Sequence, residues 1–343
     1  MERFDFNKKI FLHPGKINRL KKGKRPFPLT VEIDLTDSCN HKCKFCFTPK
    51  LDKSLRSSLK YSVLKNTLVE LWSLGTRGIS LTGGGESMLH PDFDLIAKKA
   101  KEIGFDLGLM TNGSLMIGNK VNVILDNFQW VRVSMSGGVS EIYNRVQGVN
   151  HFDLVVKNLK RLVMEKETRG KDLVIGVRML INRINIDSAI NMVETFRDTN
   201  LDYIQFASSQ FDKKDIVKGR KFKRILKEIE KIRNKKTKIQ TSGYAIEQDK
   251  NYPKHCYAHF FQGAINAKGE LLFCKNCRDS NKYRLGNINE QCLHDIWSKN
   301  STRKLEEQLC PANCGLFCKN SKLNETIEEI FTDDKSIQPN FIN

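Results

Sequence analysis

Several absences bound what this 343-residue chain is. No stretch approaches the roughly 20 apolar residues of a membrane span. The opening MERFDFNKKIFLHPGK has no apolar signal-peptide core. With no export signal, ten cysteines favour metal chemistry over disulfides, and the expected location is the reducing cytoplasm. There is no internal repeat and no low-complexity segment, which excludes solenoids and compositionally biased linkers. Acid is scarce: 39 Asp and Glu stand against 58 Lys and Arg, a net charge of +19. The shortage is local, because Lys213 to Lys238 holds 13 Lys/Arg against Asp215, Glu228 and Glu230. Within it Phe222, Ile225, Leu226, Ile229 and Ile232 recur at helical spacing. This is the solvated face of a Lys-rich protein, or a surface for an anionic partner such as a nucleotide-sugar, a phosphate, a nucleic acid or an acidic peptide. No interleaved aromatics or nucleic-acid motif support the nucleic-acid version.

Cysteine is also absent between Cys46 and Cys256, which leaves two separate groups. The first reads C-N-H-K-C-K-F-C, with Cys39, Cys43 and Cys46 in a CxxxCxxC triplet. Three thiolates this close suit three irons of a cubic 4Fe–4S cluster. Structural clusters normally use four cysteines, so a triplet leaves the fourth iron open to another ligand. Zinc is the alternative, with His41 inside the loop as a further donor, although zinc ligands usually come as distant pairs.

Hydrophobic residues make up 39% of the chain, ample for a core. From residue 30 to about 208, strand and helix patterns alternate. Strands are expected at Val31–Thr36, Ile79–Thr82, Asp106–Met110, Trp130–Met135, Val174–Ile181 and Tyr203–Ala207. Helices are expected at Ser62–Leu74, Phe93–Ile103, near Val121–Asp126, Phe152–Glu167 and Ile186–Thr199. Six such alternations imply α/β with a parallel sheet, either doubly wound or a barrel. The cysteine triplet, Gly83-Gly84-Gly85-Glu86, Thr111-Asn112-Gly113 and Ser134 all follow strands. They converge on the carboxyl rim where such folds place active sites.

CxxxCxFC after a first strand and a Gly-Gly-Glu turn after the second resemble the radical S-adenosylmethionine (SAM) superfamily over residues 30 to about 208. The resemblance implies a partial (β/α)6 TIM-like barrel. It implies a 4Fe–4S cluster on Cys39, Cys43 and Cys46 whose open iron binds SAM, cleaved to a 5′-deoxyadenosyl radical. Gly84, Gly85 and Glu86 are then SAM-binding, with Asn112, Ser134 and Arg145 around them. Phe45 shields the cluster. Ser87 stands where the family usually has Pro. Asn112 is equally a turn residue before Gly113, and Ser134 a strand-end hydroxyl.

The second group, Cys256–Cys318, holds seven cysteines in 63 residues and resembles the SPASM/twitch domains appended to such enzymes. Cys256, twelve residues, Gly269, four residues and Cys274 match its opening; Cys310-Pro-Ala-Asn-Cys314-Gly-Leu-Phe-Cys318 resembles its close. This implies one auxiliary 4Fe–4S cluster on Cys256, Cys274, Cys314 and Cys318, with Cys310 the alternative late ligand and zinc the alternative metal. The expected domains are a basic arm (1–28), the barrel (29–210), a basic helical connector (211–255), the auxiliary-cluster domain (256–320) and a tail (321–343).

A radical SAM oxidoreductase or epimerase follows, acting at a carbinol carbon of a sugar, nucleotide-sugar or similar small anionic substrate. A flavodoxin- or ferredoxin-type donor supplies electrons. The cysteine gap excludes a thiol hydrogen donor on the later strands, leaving Cys277 or Cys292 for that role. Arg178 and Tyr203 are candidates for acid–base work, with Gln205 beside them, although a structural role suits each. The amino-terminal arm is short for a leader-binding domain. Modification of a peptide or nucleic acid is the second expectation, and a non-catalytic metal scaffold for an acidic partner the third.

Overall fold

In the strand segments every second residue is aliphatic, and this alternation fixes which face of the sheet packs on helices. The computed structural model describes residues 8–46, 56–208, 217, 219–242, 255–274, 283–308 and 320–331. Its strands are β1 (Thr30–Asp34), β2 (Gly78–Thr82), β3 (Asp106–Thr111), β4 (Trp130–Ser134), β5 (Val174–Ile181), β6 (Tyr203–Ser208), β7 (Lys238–Ser242), β8 (Gln262–Ile265), β9 (Glu270–Leu272) and β10 (Arg284–Asn287). The helices are α1 (Pro14–Lys21), α2 (Tyr61–Ser73), α3 (Phe93–Ile103), α4 (Asn119–Asn127), α5 (Ser140–Gln147), α6 (Phe152–Thr168), α7 (Ala189–Thr195), α8 (Gly219–Ile232), α9 (Leu293–Ser298), α10 (Asn300–Gln308) and α11 (Ser321–Phe331).

One sheet runs β10-β9-β8-β1-β2-β3-β4-β5-β6-β7. The neighbours from β8 through β1 to β7 are parallel, and β9 and β10 add antiparallel. The six expected strands all form, in sequence order, and make the partial barrel. The sheet also extends past them on both sides. β7 continues it beyond β6, with Tyr203 opposite Lys238. β8 joins β1 in parallel, so the chain returns to the starting edge before the cysteine-rich segment folds back as a hairpin. Gly269 turns that hairpin at φ +85°, a left-handed value that favours glycine, while Asn266 Oδ1 accepts from Lys268 and Glu270 N–H.

The outer face carries Ile33, Leu81, Leu109, Val133, Val177 and Phe206, none more than 1% exposed. The crossover helices between successive strands cover it. The inner face carries Glu32, Met110, Arg132, Arg178, Gln205 and Gln240, all half-buried. A parallel sheet covered on both faces would be apolar on both. The polar alternation therefore marks the inner face as one that is not packed as apolar core. Two glycines floor it. A Cβ on Gly108 would lie 2.0 Å from the Trp130 ring, and one on Gly176 2.2 Å from the Tyr203 ring. Each ring lies across its neighbouring strand.

The amino-terminal segment closes the bottom of the structure. Ile10, Ile17, Leu20 and Phe27 join the core. Arg25 Nη1 donates to the Trp297 carbonyl, and Trp297 Nε1 donates to the Arg25 carbonyl. The expected helix Ile186–Thr199 is shorter in the structure: a 3-10 turn covers Ile186–Ser188 and α7 ends at Thr195. The 3-10 start follows a buried asparagine cluster just upstream. Asn185 is fully buried; its Oδ1 accepts from Asn182 N, and its Nδ2 donates to the Ser136 and Leu180 carbonyls. Such side-chain bonds compete with helix formation and here tie the ends of β4 and β5 together. Asn185→Ala leaves these groups without partners and is expected to destabilise the fold by about 2–3 kcal/mol, read as a lower urea midpoint with an unchanged slope.

Candidate functional site: a cysteine loop at the carboxyl rim

The loop after β1 carries Cys39 and Cys43, both half-buried, and Cys46, which is exposed. Two neighbours fix its path. On one side is the glycine turn after β2. A Cβ on Gly83 would sit 1.6 Å from Asp34 Oδ1, on Gly84 2.4 Å from Asp37 Oδ1, and on Gly85 2.1 Å from the Ser38 carbonyl oxygen. Glycine is therefore required for the turn to lie flat against the strand that leads into Cys39, and Glu86 N donates to the Ser38 carbonyl at 2.9 Å. On the other side is the end of α5. Lys42 N donates to the Gln147 carbonyl and Lys44 N to that of Val146, at 3.1 and 2.8 Å. Gly148 ends this helix at φ +70°, and a Cβ there would meet the Lys42 carbonyl at 2.4 Å.

Glu86 is buried and its carboxylate is engaged inside the protein. Oε1 accepts from Thr111 Oγ1 and Met88 N, and Oε2 accepts from Asn112 N at 2.7 Å. Burial pushes its pKa up, and these donors pull against that shift. The carboxylate thus fastens the β3 end to the glycine turn. The turn presents its backbone to the rim, where close approach of a ligand needs glycine.

Asn112 completes the brace. Its Nδ2 donates to Asn40 Oδ1, its Oδ1 accepts from Ser114 N and Oγ, and Asn40 Nδ2 donates to Ser114 Oγ. Asn40 lies next to Cys39, so β3 holds the cysteine loop through one closed amide–hydroxyl cluster. The Asn112 side chain also hydrogen-bonds Cys39, and His41 N donates to its sulfur at 3.5 Å. Burial raises the Cys39 pKa, with Glu86 and Cys46 adding to it and the two hydrogen bonds opposing. A bound metal reverses that balance by holding the thiolate.

Around Cys43, the thiol contacts Gln147 Oε1 at 3.6 Å while Gln147 Nε2 donates to the Ser134 carbonyl. Ser134, Glu86, Asn112, Gly84 and Gly85 therefore surround the cysteine loop. Arg145 stands apart, bonded to Glu141 at 2.9 Å with its side chain 57% exposed. Phe45 is half-buried. His41 turns from the thiols: its ring packs edge-on to Tyr143, and its Nε2 shares a 3.3 Å hydrogen bond with His151 Nδ1. Burial, with His151 second, lowers the His41 pKa to about 4. Among the described residues no three His, Cys, Asp or Glu side chains converge on one ion. A cubic cluster does not need convergence, because each thiolate takes its own iron. The thiolate donor set, its backbone N–H donor and the glycine cradle fit a 4Fe–4S cluster. Sequence reasoning missed Asn40, Ser114, Gln147 and Gly148. Only Gly148 left a signal, as a helix-ending glycine.

Of the second cysteine group, Cys256 and Cys274 are half-buried against the core. They lie at the same end of the β8–β9 hairpin, one before its first strand and one after its second. Cys292 is exposed at the start of α9 and bonds Asp295. Cys277, Cys310, Cys314 and Cys318 lie outside the described residues. Arg178 and Tyr203 lie on the inner face, below the rim.

Asn112→Ala removes the brace without touching a thiol. It is expected to weaken cluster retention about tenfold, measured as iron released to a chelator over time at a temperature where wild type and variant are both folded.

The molecule is similar to known proteins along most of its length. Residues 33–166 match the Radical SAM superfamily, and residues 256–320 match an iron–sulfur cluster-binding domain, SPASM. The PqqA peptide cyclase of Bradyrhizobium diazoefficiens is 26% identical over 54% of this chain, which spans about half of that relative, 47%. The GTP 3′,8-cyclase of Clostridium perfringens is 26% identical over 77% of the chain and 80% of its own length. The crystal structure of Streptococcus suis SuiB bound to S-adenosylmethionine shares the fold, with a TM-score of 0.66 at 20% identity, over 88% of this chain and 73% of that one. With both domains matched and the cysteine loop seated at the rim, this chain carries a radical SAM domain over residues 33–166 and a SPASM iron–sulfur domain over residues 256–320.

Proposed function

We propose that this chain is a radical SAM enzyme that modifies a peptide. The observation that carries the substrate class is its similarity to the PqqA peptide cyclases. The match to the one from Xanthomonas euvesicatoria reaches 80% of this chain and 75% of that relative at 22% identity. The oxidoreductase or epimerase of small sugars expected from the sequence gives way to this reading, because most of these relatives are named as cyclases. The open sheet, with β7 and β10 at its two ends, suits entry of an extended chain into the interior.

When bound, the cluster and SAM supply the carbon radical that takes a hydrogen atom from the substrate. The residues of the chain do the positioning. Gly84 and Gly85 offer a flat backbone for the methionine end of SAM, and Glu86 and Asn112 hold that backbone still. Ser134, tied through Gln147 to Cys43, extends the same rim toward the inner face. Cys256, Cys274, Cys314 and Cys318, with Cys310 as the alternative, would hold an auxiliary cluster, which would supply electron uptake or relay. Arg145, paired with Glu141, is assigned no SAM contact.

A nucleotide is the second reading, favoured by the match to a GTP 3′,8-cyclase over 77% of this chain. Both are tested on reconstituted, reduced protein in D₂O. Wild type is expected to form 5′-deoxyadenosine and Cys39→Ala none. A peptide product lighter by two hydrogens marks a cross-link; deuterium gained at carbon marks epimerisation. 5′-Deoxyadenosine formation stimulated by GTP and by no member of a peptide library selects the second reading, and no SAM cleavage at all refutes both.

A further inference from the structure

Strand register sorts the charges of the inner face. Arg132 on β4 lies opposite Gly176, which lies opposite Tyr203, which lies opposite Lys238. One layer nearer the rim, Ser134, Arg178, Gln205 and Gln240 are in register across four strands. This face of β4–β7 therefore carries three cations and, among its described residues, no acid. Among the described residues, the inner-face acids of the upper layers, Glu32 and Asp34 on β1 and Glu270 on β9, lie at the other side. The interior is polarised, with its positive half on β4–β7.

The environment of Arg132 is unusual for a guanidinium. Its Nη2 donates to Met110 Sδ at 2.7 Å, and its Nε is buried without a hydrogen-bond partner. A thioether is a weak acceptor, and a half-buried guanidinium with an unbonded N–H is costly unless an anion completes it. Gln205 Oε1 and Gln240 Nε2 are likewise buried without partners, although the two amides touch each other at 3.4 Å. Arg132 and Arg178 both lie close enough to the Tyr203 hydroxyl to oppose the upward shift that burial gives its pKa, so the two guanidiniums converge. The Tyr203 ring lies flat on Gly176, where a Cβ would come within 2.2 Å of it.

We infer that the β4–β7 half of the interior binds an anionic group of the substrate, a carboxylate or a phosphate, with Arg132 and Arg178 as its cationic partners and the Gln205 and Gln240 amides beside it. This deepens the proposed function and rests on it for the identity of the interior as the substrate site. The position suits that role. Ser134 is in register with Arg178 and is tied through Gln147 to Cys43, so the anion lies directly below the cysteine loop. A carboxylate points to an acidic residue of a peptide, and a phosphate to a nucleotide. Orientation by two guanidiniums fixes which carbon faces the rim.

The test is calorimetric titration of the reconstituted protein with SAM present, using two matched pairs of probes. One pair is acetyl-Ala-Glu-Ala-amide and its Gln isostere; the other is GTP and guanosine. The anionic member of one pair is expected to bind about tenfold to a hundredfold more tightly than its neutral partner. Arg132→Gln should reduce that preference to less than about twofold. Gln205→Glu, which keeps both arginines, should do the same by placing a like charge in the site. Lys223→Gln on the exposed side of α8 should leave the preference intact, which separates the site from general basicity. Equal or absent binding within both pairs, or a preference that survives Arg132→Gln, overturns the inference. SAM cleavage without substrate is followed in parallel; its absence in wild type refutes the radical reaction while leaving an anion preference standing.

Discussion

Lys42 and Lys44 donate their backbone N–H groups to the carbonyls of Gln147 and Val146, and these two bonds seat the cysteine loop on the end of α5. The other contacts of the rim presuppose that seating. It brings Cys43 to Gln147, Gln147 to Ser134, and Asn40 to Asn112. It also explains two requirements for small residues. Gly148 must leave room for the Lys42 carbonyl, and Gly85 for that of Ser38. A cluster ligand set on a loop is only as rigid as its supports, and here three strands and a helix supply them.

The same economy governs the sheet. The outer face is aliphatic because helices cover it; the inner face alternates with it and is polar. The glycines under Trp130 and Tyr203 let two large rings lie flat on the strands. Glu86 illustrates how burial divides roles. Its carboxylate accepts three internal hydrogen bonds and so holds the glycine turn in place.

Much of this was legible in the sequence. β5, Val174–Ile181, was read to the residue because its alternation is long and uninterrupted. The fold class and the cysteine triplet followed from equally periodic or tightly spaced signals. β7 was not read, because Lys238-Ile239-Gln240 is short and lies at the end of a basic run, where strand pairing depends on β6. α7 was read too long: its start is a 3-10 turn beside Asn182 and Asn185, whose side chains bond the backbone, and it ends at Thr195. In the site, Asn40, Ser114 and Gln147 are ordinary polar residues until tertiary structure brings them to the loop. Arg145 carried a motif-like position, yet the structure pairs it with Glu141 on the exposed face of α5. The inner-face cations were individually visible, but their segregation to β4–β7 exists only in the register of the strands.

The central claim is that Cys39, Cys43 and Cys46 hold a cluster with one iron open to SAM. Electron paramagnetic resonance of the reduced, reconstituted protein, recorded with and without SAM, tests it most directly. The account predicts that SAM alters one cluster spectrum, that Cys43→Ser removes this responsive component, and that the signal of the SPASM cluster persists. A wild-type spectrum indifferent to SAM, or a response that survives Cys43→Ser, would contradict it.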